Sequence, residues 1–445
     1  MCEDYSAITV PSLVVAGFAD GYSNTPFYAV EGMADRAWGL VGPWAHNYPE
    51  FGEPGPTIGF LQHAVRWWDR WLKGTDNGVD DEPHMRIWMQ EGVEPADHYR
   101  ARPGRWVAEE TWPPPAGNII EESLYLGGAG LGPDPGSGEI ECATSQLAGL
   151  LVGEWWGIGE PGTLPGDQRI EDERSLTFTG DALTHDQEIC GFAELDLRIR
   201  ADRPDALVAI RLCDVAPDGS SLLVTKAQLN LTHRRSHEKP EPIVAGETFD
   251  VTIRLDAIAH CLAAGHRWRL AVATTNWPLA WPSPTPAVVT IELGEASRLR
   301  LPVRAPRAGD GLLPEFGPAE YAPADEVTER DPSAERSITS RGSGEVVLRH
   351  VSDGGRQMVD RHGTIHDSRS VDLYSIVETD PLAATARSNR TVEVGWGDES
   401  TRLEADAIMR ADLDTWYVTS TLKAWHRDEL VFDKTWDFST KRIHV

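Results

Sequence analysis

Residues Val10 to His46 read VPSLVVAGFADGYSNTPFYAVEGMADRAWGLVGPWAH, and this stretch decides the fold class. Pro11 to Gly17 is a short apolar run closed by glycine, and Leu40-Val41-Gly42 begins a second. Runs of this length suit parallel strands buried on both faces. Between them, Asn24 to Asp35 predicts a short helix, giving a strand–helix–strand unit. Asp20 then falls just past one strand end and His46 just past the next. That is the C-terminal sheet edge, where open α/β folds gather their chemistry. An aspartate that accepts the hydrogen bond of imidazole Nδ1–H holds the tautomer and leaves Nε2 free as a base. Asp20 and His46 are therefore the candidate catalytic acid and base. The competing reading of Asp20 is an ordinary turn residue before Gly21.

Downstream of His46, NYPEFGEPGPT is rich in proline and glycine and predicts a loop. Ile58 to Leu72 is the clearest helix: Phe60, Leu61, Ala64, Val65, Trp68 and Leu72 recur at three- and four-residue spacing, and Gly74 follows as a C-cap. Trp67, Trp68 and Trp71 are read as packing this helix onto the sheet and a neighbouring domain. Met85 to Gln90 alternates like a strand, and RWVAEETWPPP reads as a linking segment. From Ile119 the texture changes to short alternating strands between Gly, Pro and Asp turns, the pattern of a β-sandwich. In AELDLRIRA, Leu195, Leu197 and Ile199 face one way, while Glu194, Asp196, Arg198 and Arg200 face the other. Pro217-Asp218-Gly219 is a turn between two strands. Residues from about 305 to 343 are Pro-, Glu- and Ser-rich and predict an irregular insertion, after which strands resume to the end.

The blocks VPSLVVAGFADGYSN, GLVGPWAHNYP and PGPTIGFLQHAVRWWDRWLKG resemble the closing third of the catalytic domain in the CocE/NonD family. These are α/β-hydrolase serine esterases and acylases related to the Xaa-Pro dipeptidyl-peptidases, the peptidase S15 type. The blocks GDQRIEDERSLTFTGDALTHDQEICG, RLCDVAPDGSS and AAGHRWRLAV are similar to that family's C-terminal jelly roll. The resemblance implies that Asp20 occupies the triad acid position and His46 the triad base position. Phe18 and Ala19 depart mildly from the family's pattern before the acid. The large departure is upstream, because the G-x-S-x-G elbow that should precede Asp20 is absent from these residues. The implied organisation is α/β plus all-β: a partial α/β-hydrolase domain over residues 1–105 and a jelly-roll β-sandwich over 106–445.

A substitute nucleophile is not evident. Ser23 lacks an elbow sequence, Ser12 and Ser6 lie between no glycines, and Cys2 has no base arranged beside it. An acid and a base without a nucleophile do not carry covalent acyl transfer. The resemblance therefore implies a serine hydrolase acting on small acyl esters, amides or short peptides, inactive as this isolated chain. An N-terminal half polypeptide carrying the nucleophile is the expected macromolecular partner, and a homo-oligomer is compatible with the sequence. A start codon placed too late, a split gene or a decayed relic would each produce this pattern. The rival reading is a non-catalytic β-sandwich that binds a partner or serves a structural role.

Composition narrows the classes further. With 41 basic and 70 acidic residues the net charge is −29, which argues against nucleic acid and anionic membranes as partners. The five cysteines are scattered and without CxxC spacing, which points to buried thiols or a reducing compartment and away from zinc. No apolar stretch reaches the length of a membrane span and no signal peptide is visible, so a cytoplasmic location is expected. The acyl-transfer mechanism that the resemblance implies uses no metal or organic cofactor. His63, His233 and His237 are read as surface or packing residues, and Glu171-Asp172-Glu173 as a solvated edge or an ion pair with Arg174. Trp155-Trp156-Gly157 is read as an interdomain anchor.

Overall fold

The computed structural model describes residues 4–128, 130–322, 326–342 and 344–444. Strand β1 (Ser12–Gly17), helix α1 (Thr25–Met33) and strand β2 (Ala37–Gly42) form the predicted unit, with the two strands parallel and in register from Ser12 against Ala37 to Gly17 against Gly42. Helix α2 (Phe60–Lys73) follows, closed by Gly74 in the left-handed conformation with φ of 72°, as its C-cap role requires. Strand β3 (Met85–Glu91) lies parallel to β2, and β4 (Gly104–Glu109) runs antiparallel beside β3. Phe27, Val30 and Met33 of α1 pack with Val41, Met85, Ile87, Met89 and Val107 into one core.

This sheet does not end at the expected boundary near residue 105. Strand β3 pairs in parallel with Ile258–Leu262, which belongs to the sandwich, so α/β strands and sandwich strands share one 13-stranded sheet. Its far part stacks on a four-stranded sheet ordered Ser221–Asn230, Leu207–Val215, Arg267–Ala273, Leu176–Thr179. Leu195, Leu197 and Ile199 enter the core between the two layers with Val208, Ile210, Leu212, Leu270 and Val272. The alternation read from AELDLRIRA is thus the inside–outside pattern of a sandwich strand. Its outward residues are paired: Asp196 with Arg300, and Arg200 with Glu139.

Further expectations change in the structure, among them the RWVAEETWPPP link, whose first residues belong to strand β4. The helix α2 is apolar on two stripes, and the one that packs is carried by Trp67 and Trp71 against Trp38. Leu61, Val65, Trp68 and Leu72 face outward, with Leu72 75% exposed, so a spacing count alone selected the wrong stripe. The irregular insertion is also shorter than expected, because Glu326–Arg330 and Ser333–Ser340 are strands paired with Glu345–Val359. Their partner lies downstream, so local composition concealed them. Finally, the closing strands do not join the sandwich. With Glu326–Arg330 and Ser333–Ser340 they build a separate eight-stranded antiparallel sheet ending at Glu429–Lys441. This sheet is seated on the body by Val346, Leu348, Ile376 and Ala384 against Leu150 and Trp277.

Candidate active site

The acid and base positions arise from the way β1 and β2 end. Past Gly17 the chain continues alongside the extension of β2, with Phe18 N–H donating to Gly42 O and Ala19 N–H to Trp44 O. A Cβ on Gly17 would lie 1.8 Å from the Trp44 carbonyl oxygen, so only glycine permits this approach. Trp44 itself is buried and donates its indole N–H to Pro56 O at 2.8 Å, which anchors the loop that presents His46.

The two side chains meet. His46 Nδ1 lies 3.0 Å from Asp20 Oδ2, and the other carboxylate oxygen, Oδ1, accepts the Tyr22 N–H at 3.1 Å. The Asp20 side chain is 9% exposed and that of His46 is 40% exposed. A carboxylate withdrawn from water and an imidazole open to it are arranged as an orienting acid and an accessible base.

Aromatic rings frame the imidazole. Trp156 packs edge-on at 4.8 Å between centroids, and Tyr22 lies at 5.7 Å. Trp155 and Trp156 are 61% and 53% exposed, so they are not the buried interdomain anchor expected from the sequence. Their loop does cross to the α/β part, where Gly157 O accepts the His46 backbone N–H at 3.0 Å. No local signal links Trp156 to His46, since the two are distant in sequence and only the fold brings them together. Behind the acid, a cavity of about 120 Å³ is bordered by Ser23, Arg102, Trp155, Lys226, Asp256 and His260. Burial lowers the Lys226 ammonium to about 8 and raises the Asp256 carboxyl.

The other sequence candidates separate into structural roles. Ser23 is buried and its N–H donates to Asp20 O, while Ser12 Oγ donates to Val10 O. Ser6 Oγ donates to Asp4, and Cys2 lies outside the described residues. Burial raises the thiols of Cys142, Cys190 and Cys213 to about 12, which makes them poor nucleophiles. His63 packs edge-on against Phe316, and His233 faces His237. No group of three or more metal-ligating side chains is found among the described residues. Among the described residues, too, no helix is long and apolar enough to cross a membrane. Glu171 and Asp172 are buried, not a solvated edge. Glu171 accepts the N–H groups of Gly149 and Leu151 and pairs with Arg174, while Asp172 pairs with Arg211 and Arg269.

The loop beside His46 is also tied to the third sheet, through His350 Nδ1 and Glu154 Oε1 at 2.8 Å. The hydrogen bond to Glu154 raises the His350 pKa above its usual value against the opposing effect of burial. Glu160 adds to the rise and Arg336 opposes it. His350 Nε2 is buried without a partner, which offsets part of the gain. Because the folded pKa is the higher one, this contribution is fully present below the unfolded value and is lost as pH rises through the folded value. Denaturant unfolding on both sides of that window is predicted to show a loss of about 1 kcal/mol or less with rising pH. The loss should vanish in His350→Gln; an unchanged pH dependence in that variant would contradict the assignment.

A partial α/β-hydrolase sheet, with Asp20 and His46 in contact at its C-terminal edge, continues into a jelly-roll sandwich, and this combination defines the fold class. The chain belongs to the family described as the X-Pro dipeptidyl-peptidase C-terminal non-catalytic domain, which matches residues 77–307, over half of its length. It is 29% identical over 308 residues to a candidate serine esterase of Mycobacterium bovis, a match covering 60% of this chain and 45% of that protein. It is 26% identical over 308 residues to a cocaine esterase of Rhodococcus sp., covering 62% of this chain and 50% of the relative. The chain therefore spans about half the length of the curated relatives it matches. A crystal structure of a CocE/NonD family hydrolase from Staphylococcus aureus aligns with a TM-score of 0.51 at 16% identity, covering 67% of this chain and 55% of that one. That likeness is one of fold.

Proposed function

We propose that residues 1–105 supply the acid and base of a serine hydrolase of the CocE/NonD and Xaa-Pro dipeptidyl-peptidase type. Its substrates are small acyl esters, amides or short peptides. The observation that carries this reading is the 3.0 Å contact of His46 Nδ1 with Asp20 Oδ2 at the C-terminal sheet edge. A serine hydroxyl from polypeptide outside these 445 residues attacks the carbonyl carbon. His46 Nε2 takes its proton and returns it to the leaving group, while Asp20 steadies the imidazolium. Backbone N–H groups brought by the same polypeptide stabilise the oxyanion.

Two surfaces support a role for that polypeptide. Strand β1 pairs only with β2 among the described residues, which leaves its other edge open to a further strand. The outward stripe of Leu61, Val65, Trp68 and Leu72 on α2 leaves apolar surface for a partner to cover. The cocaine esterase relative and the X-Pro dipeptidyl-peptidase family of the matching domain suggest ester and X-Pro peptide bonds as the substrate classes.

The test is labelling by a tagged fluorophosphonate. The chain alone should remain unlabelled, and the chain produced with a segment bearing a G-x-S-x-G elbow should label at that serine. Labelling of the chain alone would reveal a nucleophile within it. Absence of labelling in both forms would favour the non-catalytic reading, to which the description of the matching domain family lends support.

A further inference from the structure

We infer that the β-sandwich holds the acid and the base in register, with Asn24 and Asn47 as its positioning residues; this rests on reading Asp20 and His46 as that pair. Both side chains sit on loops, and neither loop is fixed by the parallel sheet alone. Each is tied to the sandwich by an asparagine amide.

On the acid side, Asn24 follows the turn that carries Asp20 and stands at the N-cap of α1, where its ordinary role is to cap the helix. It makes no side-chain cap hydrogen bond. Instead its Nδ2 donates to Asp256 Oδ1 at 2.8 Å, and its Oδ1 accepts the Ala257 N–H at 2.7 Å. Both ends of one amide are thus committed to the sandwich turn that follows Phe249–Arg254. A two-point contact fixes orientation as well as distance.

On the base side, Asn47 Nδ2 donates to Ile158 O at 2.6 Å, beside the bond from His46 N–H to Gly157 O. The loop that offers these carbonyls is held from beneath by Glu171, through the N–H groups of Gly149 and Leu151, and by Gln168 Nε2 donating to Leu151 O.

The two tethers converge on one residue of strand Ser221–Asn230. Lys226 O accepts the Asp256 N–H at 3.0 Å, and Lys226 Nζ donates to Val152 O at 3.1 Å. Thr225 Oγ1 adds a bond to Asp256 O at 2.6 Å. One sandwich strand therefore references both loops. A catalytic hydrogen bond tolerates only a fraction of an ångström of misplacement, so this shared reference gives a domain without catalytic residues a role in the chemistry.

The tautomer of His46 reads the geometry directly, without substrate or nucleophile. The full 445-residue chain is labelled with ¹⁵N-histidine, and the His46 resonances are identified among the 14 histidines by their loss in His46→Gln. Neutral His46 should carry its proton on Nδ1. Asp20→Asn should return the ring toward the Nε2–H form that an unrestrained imidazole favours. Asn24→Ala and Asn47→Ala should each shift it the same way with Asp20 intact. The double variant Asn24→Asp/Asp256→Asn exchanges donor and acceptor and should restore the wild-type tautomer, which separates positioning from a general loss of folding. Single variants that keep the wild-type tautomer while Asp20→Asn loses it would overturn the positioning role and leave the acid–base pair standing. If Asp20→Asn leaves the tautomer unchanged, the acid–base reading fails and the inference falls with it.

Discussion

In an enzyme completed by a serine-bearing segment, His46→Ala is expected to lower kcat for ester hydrolysis by about 10⁴-fold or more, and Asp20→Asn by about 10⁴-fold. The two losses differ in origin. Without His46 nothing accepts the serine proton, so attack proceeds with a weakly nucleophilic hydroxyl. The Asp20→Asn change keeps the shape but turns an acceptor into a group that can also donate. The ring then favours the tautomer whose Nε2 carries a proton and cannot act as base. The double variant should fall little below His46→Ala, because the aspartate acts only through the histidine. Steady-state kinetics on the single and double variants checks this, and multiplicative losses would show that the two side chains do not act as one unit.

Arg304→Met is expected to cost about 3–5 kcal/mol in denaturant unfolding. Arg304 is fully buried at the join of the α/β strands and the sandwich. It donates to Glu109 Oε1 at 2.9 Å and to both carboxylate oxygens of Asp310, at 2.7 and 2.9 Å. Glu188 approaches to 3.6 Å, and Arg307 also grips Glu109. Burial opposes the charge on the guanidinium, yet the hydrogen bonds from it to Asp310 and Glu109 prevail and raise its pKa further. Removing the central cation leaves carboxylates that water cannot reach. The control is Arg330→Met. Arg330 bridges Asp353 and Asp367 with similar distances but is half exposed, so its loss should cost far less. Equal costs at the two sites would remove burial as the deciding factor.

Most of the α/β part was legible in the sequence for a local reason. Strand and helix periods, the Gly74 C-cap and the Pro217-Asp218-Gly219 turn are properties of neighbouring residues, and all three appear in the structure. Asp20 and His46 were legible as candidates because each follows a strand end. What escaped depended on partners remote in the chain. Which stripe of α2 is buried was decided by Trp38, which draws in Trp67 and Trp71 and leaves Trp68 outside. The strand Ser333–Ser340 is visible only beside Glu345–Val359.

By itself, then, the sequence determined the order and kind of the elements around the site and the identity of the acid and base candidates, since these follow from spacing along the chain. Tertiary structure decided that β3 joins the α/β strands to the sandwich, that Trp156 stands against His46, and that Asn24 reaches Asp256 instead of capping its helix. Each of these is a contact between segments far apart in sequence, chosen by burial and hydrogen-bond satisfaction over the whole fold, for which no local pattern is a substitute.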